Sequence, residues 1–307
     1  MMITLQYNDA DGKESYSNIA SETVKSKTWT KLENTSYTIP AGATNLLLYV
    51  EASSMTDFYL DDVLIASKGT KSDVTTGKGT VGEDVGKIKA VDGVDISWID
   101  PSKPMVAISF DDGTMDPTNE KKIIDTVVKN GFHATFFYVS DWISSPDTVK
   151  YAYQNGMEIA NHSKDHKKLS TLSSDQIKYE WQACNDALKN IIGTDPSKLL
   201  RLPELAYNTT VQQALSDVPL ISCAIDTKDW AGASKDAILQ TLNNALNDGS
   251  LKNAIVLAHE NYPTTAAAME EFLPVLKAKG WQVVTISEMF AVNGKTLNGG
   301  QVYTRCQ

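Results

Sequence analysis

MVAISFDDGTMDPTNEKKIIDTVVKNG, residues 105–131, carries the pattern from which the fold follows. Met105 to Phe110 alternates, with Val106, Ile108 and Phe110 on one face, which predicts a strand. Asp111, Asp112 and Gly113 close it. From about Thr118 to Asn130, Ile123, Ile124, Val127 and Val128 recur at helical spacing, and Gly131 stops the run. The strand-then-helix unit repeats. Further strands are predicted at His133 to Val139, Met157 to Ala160, Lys198 to Leu202, Leu220 to Ile225, Ala254 to Leu257 and Trp281 to Ile286. Helices are predicted over Asp175 to Ile192, with Ser173 or Ser174 as cap, and over Lys235 to Asn247 and Thr265 to Lys279. Such repeats imply a parallel sheet with covering helices, barrel or open, and seven strands favour a barrel one short of the usual eight.

Upstream the period changes. Ile3 to Tyr7, Lys31 to Ile39, Asn45 to Glu51 and Asp57 to Ala66 read as short strands between Asn, Asp, Gly and Ser punctuation. From Lys68 to about Gly93 the chain is rich in Gly, Thr, Lys and Asp, which is linker composition. The expected division is therefore a β fragment at 1–67, a linker at 68–96, the strand-helix domain at 97–293 and a tail at 294–307. Because Met1-Met2-Ile3 leads directly into strand-like sequence, further sequence is expected upstream of this start.

Composition narrows the function classes. A chain of 307 residues, 42% hydrophobic and 21% charged, is ordinary for a globular protein able to bury a core. Net charge is −10 with pI near 4.9, and Lys and Arg form no dense patch, which disfavours nucleic acid. No apolar run is long enough to span a bilayer, and no signal-peptide pattern stands at the start, so no membrane partner is expected. Cys184, Cys223 and Cys306 are too few and scattered for a disulfide framework or a Cys-rich zinc site, and Cys184 and Cys223 read as buried thiols.

The rare residue types gather at predicted strand ends. Asp111 and Asp112 follow the first barrel strand, His162 the third, Asp226 the fifth and His259 the sixth, while Arg201 ends the fourth. In a parallel barrel these positions share one rim, where active sites are built. Of four histidines in the chain, three (His162, His166 and His259) fall there, and His133, at a strand start, reads as structural. His162 and His166 have the i, i+4 spacing that puts two imidazoles on one side of a helical turn, suited to a metal. That spacing alone is weak, and two solvated loop histidines are the plain alternative. Adjacent aspartates supply the missing carboxylate: one can bind a metal while the other takes a proton from water, although an Asp-Gly turn alone has no such meaning. His259 can protonate a leaving group if a carboxylate holds its other nitrogen, with Asp226 and Asp229 both candidates, and Arg201 can orient a catalytic carboxylate. Together these residues point to a metal-dependent hydrolase.

Five stretches in order, Ser109-Phe110-Asp111-Asp112-Gly113, His162-Ser163-Lys164-Asp165-His166, Arg201-Leu202-Pro203, Asp226-Thr227-Lys228-Asp229-Trp230 and Leu257-Ala258-His259, make residues 97 to 290 resemble the NodB-homology polysaccharide deacetylases, carbohydrate esterase family 4. The resemblance implies a distorted (β/α)7 barrel, preceded here by a small β-sandwich fragment, that removes acetyl groups from sugar polymers with one divalent ion, zinc or cobalt. It implies Asp112, His162 and His166 as ligands, Asp111 as base and His259 as acid. Arg201 would orient Asp111, Asp229 would hold His259, Trp230 and Leu257 would line the acetyl pocket, and Tyr207 would meet substrate. Two departures stand out. After Arg201-Leu202-Pro203 the family usually has an aromatic residue and Gly, its backbone N–H serving the oxyanion, whereas Glu204 to Asn208 follow here; and Glu260 stands where Asp is common.

Residues 27 to 66, with Lys27-Thr28-Trp29, Tyr37-Thr38-Ile39-Pro40 and Phe58-Tyr59-Leu60, look similar to the latter part of a xylan-binding jelly-roll module. A half sandwich has exposed edges, so it is expected to pack on the catalytic domain or to self-associate. The substrate expectation is acetylated xylan, with N-deacetylation of chitin or peptidoglycan as the runner-up and a non-catalytic sugar-binding protein as the reading from another class. The resemblance places the protein outside the cell.

Overall fold

The structure, a computed structural model, describes residues 1–24, 30–34, 36–52 and 94–307. The chain divides into two compact units, Met1–Gly86 and Lys87–Gln307. The strand expected at 57–66, the Trp29 stretch and nearly all of the expected linker lie outside the described residues.

In the first unit, β1 (Met2–Asn8), β2 (Glu14–Ser21) and β3 (Thr44–Glu51) form an antiparallel sheet in the order β2-β1-β3. The β1-β2 turn is closed by Asp9, whose Oδ1 accepts from the amides of Asp11 and Lys13, each at 3.0 Å. β2 escaped the sequence reading because ESYSNIAS offers only Tyr16 and Ile19 as large apolar residues. Lys31 to Ile39, expected as a strand, forms none among the described residues. Asn34 Oδ1 accepts from the Ser36 amide at 3.0 Å instead, a side-chain turn that competes with a ladder.

The second unit is a sheet of nine strands among the described residues, and all of its ladders are parallel. They are β4 (Met105–Asp112), β5 (Thr135–Tyr138), β6 (Glu158–Asn161), β7 (Leu200–Arg201), β8 (Leu220–Ile221), β9 (Ile225–Asp226), β10 (Ile255–His259), β11 (Gln282–Val284) and β12 (Val302–Tyr303). The order runs β12-β8-β7-β6-β5-β4-β10-β9, with β11 on the first half of β4. Helices α1 (Pro117–Lys129), α2 (Pro146–Gln154), α3 (Ser174–Ile192), α4 (Thr209–Ala214), α5 (Lys235–Asp248), α6 (Pro263–Ala278) and α7 (Ile286–Val292) connect them. α3 opens with a capping box between Ser173 and Gln176 and ends at Gly193 in the left-handed conformation (φ +81°).

Strand alternation decides what faces inward. Val106, Ile108 and Phe110 pack outward with Ile123, Ile124 and Val127 of α1, while Met105 and Ala107 face an inner cluster with Phe137, Ala160, Ile221 and Ile255. The inner row of β4 therefore continues to Ser109 and Asp111. On β7, Leu200 packs outward with Val211 and Leu215, which leaves Arg201 to point inward. The same rule puts Leu257 and His259 of β10 inside.

Two strand expectations are corrected. Leu220 to Ile225 is not one strand: β8 and β9 lie toward opposite ends of the strand order. The tail also contributes β12, which pairs with β8 while Ile255 N–H donates to the Thr304 carbonyl at 3.1 Å and Cys306 N–H to Asn253 at 2.9 Å. The last residues thus bridge β8 to the start of β10 and close the curled sheet at that end. His133 is structural as expected, with Nδ1 2.6 Å from Glu288 and its ring against Trp98. All three cysteines are free, and burial pushes the Cys184 thiol up to about 12. No helix among the described residues is long and apolar enough to cross a membrane. Truncation after Gly300 leaves the edges of β8 and β10 unpaired, and calorimetry on the truncated chain should show a melting temperature lower by about 5 °C or more, as a loss of roughly 2 kcal/mol gives for a domain this size.

Candidate active site

Arg201 is 0% exposed. Its Nη1 donates to both oxygens of Asp111 at 2.8 Å, its Nη2 donates to Ser109 Oγ at 2.7 Å, and its guanidinium lies 4.6 Å from the Phe137 ring centre. Ser109 Oγ in turn donates a hydrogen bond to the Val256 carbonyl at 2.7 Å. Burial pushes the Asp111 carboxyl up to about 6, against the pull of Arg201 and His259. A carboxylate held by a cation yet raised by burial is suited to take a proton near neutral pH.

Asp112 does not follow the strand alternation. Its φ of +92° lies in the left-handed region, and this turns its carboxylate toward the same imidazole that Asp111 faces: His162 Nε2 is 3.6 Å from Asp111 Oδ2 and 3.8 Å from Asp112 Oδ1. His162 Nδ1–H donates to the Arg201 carbonyl at 2.9 Å, which leaves Nε2 with its lone pair. Burial, helped by the charge of His166, holds His162 well below the usual imidazole range, so it is neutral, as a metal ligand must be. Ligand atoms of Asp112, His162 and His166 all lie within 4.8 Å of one another. These three fit a divalent ion: two imidazole nitrogens and a carboxylate, converging, with coordination positions to spare. The spacing argument needs a correction, because His162 to His166 is no helical turn. Ser163 and His166 both have left-handed backbones (φ +69° and +62°), and Ser163 Oγ accepts from the His166 amide at 3.0 Å. The two rings meet edge to face at 4.7 Å, and Trp142 lies 5.1 Å from His166.

On the opposite rim, His259 Nδ1 lies 2.8 Å from Asp229 Oδ1, and Asp229 Oδ2 accepts from the His259 amide at 2.7 Å and Thr265 Oγ1 at 2.6 Å. Between the two candidates for holding His259, the geometry selects Asp229. Asp226 instead accepts from the Lys228 amide at 2.8 Å and lies 3.3 Å from Trp230 Nε1. Burial would lower His259, but the Asp229 hydrogen bond and the nearby carboxylates outweigh it and raise the imidazole to about 8. Leu257 is buried, whereas Trp230 and Tyr207 are 55% and 48% exposed, so both aromatics offer open faces. In the altered third stretch, Glu204 and Leu205 have left-handed backbones, the Leu205 amide donates to Leu202 and the Ala206 amide to Pro203, and Glu204 pairs with Lys168 at 2.8 Å.

Several contributors went unread in the sequence. Ser109, Thr265 and Trp142 meet Arg201, Asp229 and His166 from the side; Ser109 stood inside a motif with no role assigned to it, and Thr265 and Trp142 carried no sequence signal. Glu260, which stands where Asp is common in the family, is buried and accepts from the Gly113 amide, and Asn261 Nδ2 lies 3.4 Å from Asp112 Oδ2.

Comparison with known proteins agrees with this arrangement. Residues 99–221 match the polysaccharide deacetylase family, and residues 1–56 match a carbohydrate binding domain. The chain is 31% identical over 193 residues to the peptidoglycan-N-acetylmuramic acid deacetylase PdaC of Bacillus subtilis (62% of this chain, 40% of that protein). It is 28% identical over 201 residues to a bifunctional xylanase/deacetylase of Pseudobutyrivibrio xylanivorans (64% and 32%). It thus spans less than half the length of either relative. Among solved structures, a family 4 acetyl xylan esterase from Clostridium thermocellum in complex with a cobalt ion superposes with TM-score 0.60 at 25% identity, covering 66% of this chain and 98% of that one. The curled parallel sheet, the rim residues and these matches together show a polysaccharide deacetylase domain of carbohydrate esterase family 4, with a carbohydrate-binding domain in front of it in the sequence.

Proposed function

We propose that the chain is a metal-dependent esterase that removes O-acetyl groups from xylan. The observation that carries the hydrolytic part is the meeting of two separately tuned groups at one rim: Asp111, clamped by Arg201, beside the Asp112, His162 and His166 cluster, and His259, held by Asp229. A divalent ion in that cluster, zinc or cobalt by ligand type, supplies Lewis acidity for the acetyl carbonyl and the attacking water. Asp111 takes the proton of the attacking water, with Arg201 fixing both carboxylate oxygens so that the lone pair stays aimed. The Glu204 amide follows the Arg201-Leu202-Pro203 stretch directly and donates to no acceptor among the described residues, which supports reading it as the donor for the developing oxyanion. His259 gives its Nε2 proton to the departing sugar oxygen, and Asp229 stabilises the charged imidazolium before the transfer. Leu257 gives the acetyl methyl an apolar wall, and the open faces of Trp230 and Tyr207 suit stacking against sugar rings.

Xylan is favoured by the carbohydrate-binding match at the N-terminus and by the likeness to a xylanase/deacetylase and to an acetyl xylan esterase. An extracellular setting accompanies that substrate, because xylan lies outside the cell. The second reading, N-deacetylation of peptidoglycan or chitin, is favoured by the higher identity to a peptidoglycan deacetylase. Acetate release from acetylated xylan compared with N-acetylglucosamine oligomers separates them: release from the oligomers alone rejects xylan.

Chelation followed by dialysis should abolish acetate release, and added zinc or cobalt should restore it. Asp111→Asn should still bind the ion, by calorimetric titration, while losing roughly 10²-fold or more in kcat, the scale of a lost general base. His259 acts in its protonated form, so kcat should fall as pH rises through about 8. Asp229→Asn removes the partner that raises the imidazole, and the alkaline limb of the pH profile should then move to lower pH.

A further inference from the structure

Glu120 of α1 and Glu260 at the end of β10 are both buried, and the chemistry above uses neither. Both lie on the outer side of the sheet, behind the rim. Glu260 Oε1 accepts from the Gly113 amide, and Glu120 Oε1 accepts from Tyr138 Oη at 2.7 Å. The remaining oxygen of each, Oε2, is fully buried and has no hydrogen-bond partner. Gly113 and Tyr138 are pressed together, since a Cβ on Gly113 would stand 2.9 Å from Tyr138 Cδ1. Two buried carboxylates with orphaned oxygens are costly when ionised, and protonation removes the cost of the buried charge. The charges agree: burial pushes Glu120 up to about 7, and burial and then the charge of Glu120 push Glu260 well above the usual carboxylate range.

What this pair grips is the turn after Asp112. Asp112 stands at φ +92° and Gly113 at φ +111°. For an aspartate the first is a sparsely populated conformation that persists only where its surroundings over-determine it. The Glu260 carboxyl holds the next amide, and Asn261 Nδ2 reaches Asp112 Oδ2 itself. We infer that Glu260, backed by Glu120 and Tyr138, is a positioning residue that keeps Asp112 turned toward His162 and so sets the affinity of the site for its divalent ion. This rests on the reading of Asp112, His162 and His166 as ion ligands.

The test uses the full chain stripped of metal, titrated with Zn²⁺ or Co²⁺ by calorimetry, with the visible absorption of the Co²⁺ form as a second readout. Glu260→Leu removes the acceptor and should weaken ion binding roughly 10- to 100-fold, the usual scale for lost outer support of a ligand, and should alter the Co²⁺ spectrum. With the ion saturating, kcat should recover in large part and KM should stay near the wild-type value. Glu260→Gln keeps an acceptor for the Gly113 amide without the carboxylate charge, so it should bind the ion as the wild type does. Glu120→Gln should do the same. A folded Glu260→Leu with wild-type ion affinity and spectrum overturns the inference while the wild-type titration leaves the ion site standing. If the leucine variant does not fold, the glutamine variant decides, and weakened binding there overturns it equally. A wild type that binds neither ion strikes the site reading itself.

Discussion

Everything at the rim leans on one buried ion pair. Arg201 belongs to β7 and Asp111 to β4, and β6 and β5 lie between them. At about 4.8 Å per strand, a flat sheet would hold the two some 14 Å apart, well beyond the reach of an arginine side chain. Their contact at 2.8 Å therefore requires the sheet to curl, and the curl brings the ends of β6 and β10 onto the same small space. The pair is expensive to bury and more expensive to break, because losing either partner strands a charge in an inner face otherwise lined by Ala107, Phe137, Ala160 and Ile221, at a cost of about 3–5 kcal/mol. Ser109 and the Phe137 ring absorb part of the desolvation.

That curl lets two neighbouring aspartates differ. Asp111 continues the inner row of β4 and meets Arg201, so its carboxylate is pinned and dry. Asp112 leaves the row through a positive φ and meets the histidines, its side chain 16% exposed. One residue type does two jobs because backbone direction, not side-chain chemistry, assigns the surroundings. The same division recurs across the rim, where Asp229 is buried against His259 and Thr265 while Asp226 stays with Trp230 at the surface.

Much of the site was legible in the sequence because strand period and strand ends were strong signals. Val106, Ile108 and Phe110 marked β4 and therefore its rim, and the scarcity of histidine made His162, His166 and His259 stand out. Less legible were features with no period to read. β8 and β9 are two residues each, too short to show alternation, so Leu220 to Ile225 looked continuous. The loop from His162 to His166 imitates helical spacing through two left-handed residues, Ser163 and His166, which a spacing rule cannot anticipate. Glu120 sits in a helix whose charged neighbours Lys121 and Lys122 are solvated, and nothing local distinguishes the one that turns inward. Its meaning arises only when β10 delivers Glu260 to the same place.

Closure by β12 has a consequence for synthesis. Chain growth delivers β4 to β11 in order, each after β4 finding a parallel neighbour already made except β9, which waits for β10, but the segment that bridges β8 to the start of β10 leaves the ribosome tunnel after all of them. Until then those two edges stay unpaired. The nascent unit therefore passes through a stage with its sheet assembled and its seam open.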